Sequence, residues 1–64
     1  MELADMVEEL DERGDDLKLT EWERSFVGDM LDRLTKVDHD DEAFNNRLSN
    51  TEAQKIKQIY DERT

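Results

Sequence analysis

Leu19-Thr20-Glu21-Trp22-Glu23-Arg24-Ser25-Phe26-Val27-Gly28-Asp29-Met30-Leu31-Asp32-Arg33-Leu34-Thr35-Lys36 is the stretch that decides the fold class of this chain. Thr20 and Glu23 stand at the spacing of a capping box, in which the threonine hydroxyl accepts from the N3 amide and the glutamate reaches back to the threonine amide. Behind the box, Trp22, Phe26, Val27, Met30, Leu31 and Leu34 recur at intervals of three and four. At about 100° per residue they cover roughly half of a helix circumference. The spacing predicts a helix over about 20–36, and a stripe that wide has to meet two neighbours, so this is the expected central helix. Gly28 falls on its polar side at a cost of ~1 kcal/mol relative to alanine, either as a plain surface glycine or as a point where another backbone comes close.

Towards the C-terminus, Leu48-Ser49-Asn50-Thr51-Glu52 repeats the same start chemistry and predicts a helix over about 50–62. Ala53, Ile56, Ile59 and Tyr60 form its narrow apolar face. The residues after the two boxes do not match, so this is shared helix-start chemistry and not an internal repeat. Between the helices, 37–47 reads as an acidic connecting loop. Asp38 or Asp40 can cap a short helical turn there that carries Ala43 and Phe44 inward, with Asn45-Asn46 ending it.

Towards the N-terminus, Leu3, Met6, Val7 and Leu10 fall at i, i+3, i+4 and i+7, the pattern of an amphipathic helix over about 2–13. Gly14 behind Arg13 reads as a C′ glycine. The expected fold is all-α. It is a small three-helix domain, with 1–16 an acidic amphipathic helix and 17–64 a helical-hairpin core, in a single domain of 64 residues. The expected core is Leu17, Leu19, Trp22, Phe26, Val27, Met30, Leu31, Leu34, Phe44, Leu48, Ile56, Ile59 and Tyr60. Cysteine is absent, so neither a disulfide nor a thiolate-bound zinc supplements so small a core. Homodimerisation through the central helix stripe or the first helix is therefore a further expectation.

Charge is distributed as unevenly as apolarity. The net charge is −10, and all of it lies in two segments. Residues 1–16 hold Glu2, Asp5, Glu8, Glu9, Asp11, Glu12, Asp15 and Asp16 against Arg13 alone, and residues 38–47 hold Asp38, Asp40, Asp41 and Glu42 against Arg47. The remaining stretches are balanced. Nucleic-acid backbones and membrane surfaces are both anionic and would be repelled, so the charge favours a basic partner. Glu2, Asp5, Glu8, Glu9, Glu12, Asp15, Asp16, Asp38, Asp40, Asp41 and Glu42 are the candidate partner-binding residues. Carboxylates spaced along a helix can imitate a phosphate row and occupy a basic groove built for it. The plainer reading is that the same acids form a solvated face.

Other chemistry finds little support. An EF-hand beginning at Asp38 would place Ala43 where glycine is required and Ser49 where the bidentate glutamate belongs, so no metal is expected. His39 is the only histidine, and a pH-responsive role for its loop is the remotest of the readings. With no cysteine, no Gly-rich phosphate loop and no serine in a nucleophile elbow, no cofactor and no enzymatic activity are expected. There is no apolar run long enough to span a membrane and no signal-peptide pattern, which points to a cytoplasmic location.

Leu19-Thr20-Glu21-Trp22-Glu23-Arg24-Ser25-Phe26, followed by Leu48-Ser49 and Ile56…Ile59-Tyr60, resembles the helical-hairpin segments of small bacteriophage-encoded proteins. Those segments open with a Leu-Thr-x-Trp-Glu-x-x-Phe helix and continue, after a variable link, with a Leu-Ser-x-x-Gln helix ending in an Ile-Tyr-like pair. The resemblance covers about 19–62 and leaves the acidic first helix unmatched. It departs at Glu52, where glutamine is usual, and in the long acidic link. It implies a phage or phage-like origin, hence the host cytoplasm, and a setting close to host nucleic-acid machinery, while transferring no functional residue. Together these readings predict a non-enzymatic protein that docks its carboxylates on a basic site of a host protein handling nucleic acid, as an inhibitor or nucleic-acid mimic. The alternative is a structural or accessory subunit of a replication, recombination or other assembly that works through apolar helix faces.

Overall fold

The computed structural model describes residues 2–64, which contain helices and no strand. Five helices follow in order: α1 (Leu3–Glu12), α2 (Gly14–Leu17), α3 (Glu21–Lys36), α4 (Asp41–Asn46) and α5 (Asn50–Arg63). They occupy an envelope of 28 × 20 × 20 Å. Both capping boxes form as the sequence dictates. The Glu23 amide donates to Thr20 Oγ1 at 3.1 Å and the Thr20 amide to Glu23 Oε1 at 2.8 Å. The Glu52 amide donates to Ser49 Oγ at 3.1 Å and the Ser49 amide to Glu52 Oε1 at 3.0 Å.

Three helices become five because two connections are more ordered than the sequence suggests. The first helix breaks at Arg13 (φ −103°, ψ 15°) and resumes as α2. Gly14 is thus the first residue of a new turn and not a left-handed terminator. The left-handed position falls instead on Lys18, φ 55°, whose amide donates to the Gly14 carbonyl and turns Leu17 and Leu19 inward. The acidic link is likewise a tight turn and a helix. The Asp38 amide donates to the Thr35 carbonyl at 3.1 Å and the His39 amide to the Leu34 carbonyl at 2.9 Å. With Asp38 at φ 54°, this is a Schellman motif bearing aspartate where glycine is usual. Asp40 then caps α4, its Oδ1 accepting from the Ala43 amide at 2.9 Å, and α4 carries Phe44 into full burial.

The element at the centre is α1 and not α3. It packs against α2, α3, α4 and α5, whereas α3 and α5 approach each other closely at far fewer positions than either approaches α1. Its buried ridge is Ala4, Val7 and Leu10, with Leu3 and Met6 half-buried on its flanks. That ridge joins two clusters. Ala4 and Val7 meet Met30, Leu34, Phe44 and Ile56; Leu10 meets Leu17, Leu19, Val27 and Ile59. Phe26 packs against both.

Trp22 lies outside this core, at 55 % exposure. With α1 filling the space on the far side of α3, the indole is left on the open side between α3 and α5. There it stacks on Phe26 at 5.5 Å and lies under the Lys55 ammonium at 4.8 Å. Two ion pairs close the same gap. Arg63 Nη2 reaches Glu23 Oε1 at 2.8 Å, and Arg33 Nη1 reaches Glu52 Oε2 at 2.7 Å. Each capping-box glutamate therefore also receives an arginine from the C-terminal part of the other helix, which fixes α3 and α5 as antiparallel.

Truncating the ridge should cost more than truncating the aromatic. Leu10→Ala is expected to lower stability by about 2–5 kcal/mol. Trp22→Ala forfeits one aromatic stack and one cation–π contact, together about 1–2.5 kcal/mol. Lys18→Gly relieves a left-handed residue costing about 1–2 kcal/mol and adds roughly 0.5–1 kcal/mol of unfolded-chain entropy, so it should be neutral to stabilising. Urea unfolding of the three variants checks the order.

Candidate acidic docking surface

Burying one edge of α1 decides where its carboxylates go. Ala4, Val7 and Leu10 point into the core, so Glu2 and Asp5 are exposed and Glu8 and Glu9 are half-exposed along the ridge's margins. The α4 N-terminus packs beside α1 and brings the second acidic segment to one of those margins. Asp41 lies within the fields of Asp5, Glu2, Asp40 and Glu8. Crowding around the carboxyl and then those four like charges raise its pKa above the ordinary 3.8. Two stretches more than thirty residues apart in the chain, around Glu2–Glu8 and Asp40–Asp41, thus form one anionic surface.

His39 sits at the border of this surface. Its Nδ1 lies 2.7 Å from Glu8 Oε1, with both side chains about half in solvent. The contact ties the turn between α3 and α4 to the middle of α1. His39 itself adopts φ 61°, next to Asp38 at φ 54°. Two consecutive left-handed residues swing the ring out of the α3 path and towards α1, and histidine and aspartate are among the side chains that tolerate this region. Asp38 and Glu42 are exposed on the turn and on the first helical turn of α4. Asp40, Asp41 and Glu42 at an α4 N-terminus interact favourably with its dipole, which partly offsets their mutual repulsion.

The other candidates lie elsewhere. Glu9 faces α5, where its carboxylate beside the Tyr60 hydroxyl raises the phenol's pKa. Glu12 and Asp15, with Asp11, rim an open cleft of about 200 Å³ floored by Leu10, Leu19 and Val27. Asp15 there pairs with Arg24 at 3.1 Å, the carboxylate almost wholly in solvent and the arginine about half so, an arrangement worth little stability. Asp16 is exposed on α2. The eleven candidates therefore divide into a surface around Glu2, Asp5, Glu8, Asp40 and Asp41, a separate edge at Glu12 and Asp15, and isolated positions. Asp11 belongs to that edge although the sequence reading passed over it. The Glu8–His39 contact had no local signal, because its partners are 31 residues apart.

Among the described residues, no group of three or more His, Cys, Asp or Glu side chains is arranged to hold a metal ion, and no helix is long and apolar enough to cross a membrane. No protein family, no characterised protein and no solved structure matches this chain.

Two kinds of carboxylate give opposite pH dependences. Glu23 is held below the ordinary 4.5 by the Thr20 amide, against the opposing effect of burial, and by Arg63. Glu52 is held below 4.5 by the Ser49 amide, again against burial, and by Arg33. Their contribution to stability is complete above the unfolded value and is lost as pH falls through the lowered folded values. Asp41 behaves in the reverse sense: its penalty is present above its raised folded value and is relieved on acidification. At neutral pH, Asp41→Asn should therefore raise the melting temperature and Glu52→Gln should lower it. Both differences should shrink towards about pH 3 in parallel melts.

Proposed function

We propose that this protein is a small, non-enzymatic interaction protein that docks its carboxylate surface on a basic site of a partner that handles nucleic acid, acting as an inhibitor or nucleic-acid mimic. The observation that carries this reading is the convergence of the two acidic segments around Asp41. A solvated face needs no such convergence, and like charges brought together oppose folding, so the arrangement is best accounted for by a cationic surface that relieves it. A phage-type origin and a host-cytoplasmic setting follow from the resemblance of 19–62 and belong to the same proposal.

The accessory-subunit reading draws on one observation, the exposed Trp22 on its Phe26 stack. The apolar edge of α1 is spent within the core, which leaves that reading the open side of α3 and α5 as its contact. Homodimerisation would use the same side.

The two readings differ in salt dependence. The triple variant Glu2→Lys, Asp5→Lys, Asp41→Lys spares the Glu8–His39 contact and every capping box. It is expected to weaken capture of a basic partner from bacterial lysate by at least about tenfold and to flatten the salt dependence of elution, with helicity by circular dichroism unchanged. Capture that survives both the triple variant and high salt, and that is lost in Trp22→Ala, would replace the acidic-surface reading with the accessory one.

A further inference from the structure

Three of the nine basic side chains, Arg33, Lys36 and Arg47, line one open cleft of about 290 Å³, with Glu52 and Asp32 paired to the first two. The cleft lies between the last turns of α3 and the end of α4, and its lining shares no residue with the acidic candidates. We propose that it binds a small oxyanion of the phosphate class.

Each of the three positions has a local rationale, because cations are favoured at helix C-termini. Arg33 and Lys36 occupy the last turn of α3, and Arg47 is the C-cap of α4. That rationale does not account for their convergence. Acids outnumber bases by 19 to 9 in this chain, so a carboxylate-lined wall is the electrostatically cheaper surroundings for any cation here. Yet only Arg33 and Lys36 have a carboxylate partner, Glu52 and Asp32, and Arg47 has none, so the cleft keeps one unneutralised cation beside two solvent-accessible pairs that an incoming anion can join.

The donors are available. Arg33 spends Nη1 on Glu52 at 2.7 Å and keeps its other guanidinium hydrogens. Lys36 makes a solvent-exposed pair with Asp32 at 3.3 Å, which an incoming anion can replace. Arg47 has no side-chain hydrogen bond or ion pair among the described residues. A guanidinium fork matches two oxygens of one phosphate, and two forks with an ammonium suit a tetrahedral dianion better than a single carboxylate. The volume lies just below the lower limit of ordinary small-molecule sites. It accommodates one or two phosphate units.

The test is a titration of the full chain followed by NMR at the arginine Nε–H and backbone amide signals, at constant ionic strength. Orthophosphate and pyrophosphate are added in separate arms, with sodium chloride as the control. The expected result is a saturable response confined to Arg33, Lys36, Arg47 and their neighbours, reduced at least about tenfold in Lys36→Gln/Arg47→Gln. That double variant leaves both capping boxes and both interhelical ion pairs in place, so its melting temperature should equal that of the parent. Saturation by orthophosphate assigns the site to free phosphate; saturation by pyrophosphate alone assigns it to diphosphate-bearing small molecules. A response linear in anion, one spread equally over Arg13 and Lys57, or one unchanged in the double variant overturns the proposal. None of these outcomes bears on the acidic surface.

Discussion

The insertion of the Ala4-Val7-Leu10 ridge among the other helices is the constraint on which the remaining structure depends. A chain of this size buries too little surface for a hairpin of α3 and α5 to stand alone. Those two helices touch mainly through long side chains, with Phe26, Val27 and Ile59 on one side of the gap and paired charges on the other. Ala4 is what lets α1 come close, since a larger side chain at that 2 % exposed position would push it out of contact with Met30 and Phe44. Once α1 is seated, α4 has a wall to pack on, and the turn at 37–40 is drawn to the α1 flank where His39 meets Glu8.

Around that ridge, two glutamates each serve twice. Glu23 and Glu52 complete the capping boxes that start α3 and α5, and each also accepts an arginine from the opposite helix. Removing either would release a helix start and an interhelical tie together, which makes local and tertiary structure mutually dependent. Glu23 is the one buried charged residue among those described, and its burial is sustained by both partners.

The same packing lays out the charges, and it does so unevenly. Turning the apolar edge of α1 inward sends Glu2 and Asp5 to the side where α4 begins, Glu9 towards Tyr60, and Glu12 to the cleft where Asp15 of α2 meets Arg24. On the second flank the acid finds a phenol. Those on the first meet more acids. At the far end of α4, the polarity reverses into the cleft of Arg33, Lys36 and Arg47. The six-residue α4 thus has acids at its N-terminus and Arg47 at its C-cap.

By itself the sequence determined what is local. Capping boxes are four-residue chemistry and apolar periodicity is a property of one helix, so the all-α class, the starts of α3 and α5 and the inward Phe44 could be read directly, while the cap of α4 was narrowed to Asp38 or Asp40. The two acidic segments of the chain were legible for the same reason, since charge density along the sequence is also local. Tertiary structure alone decided which helix is central, because a wide stripe on α3 and a narrow one on α1 carry no record of which faces the other. It placed Trp22 outside the core by giving the facing space to α1, and it put the left-handed residues at Lys18 and Asp38, where no glycine marks them. It also sorted eleven acids into one shared surface and several separate positions. Contacts such as Glu8 with His39, or Arg63 with Glu23, join residues 31 and 40 positions apart, and only the folded chain brings such groups within hydrogen-bonding distance.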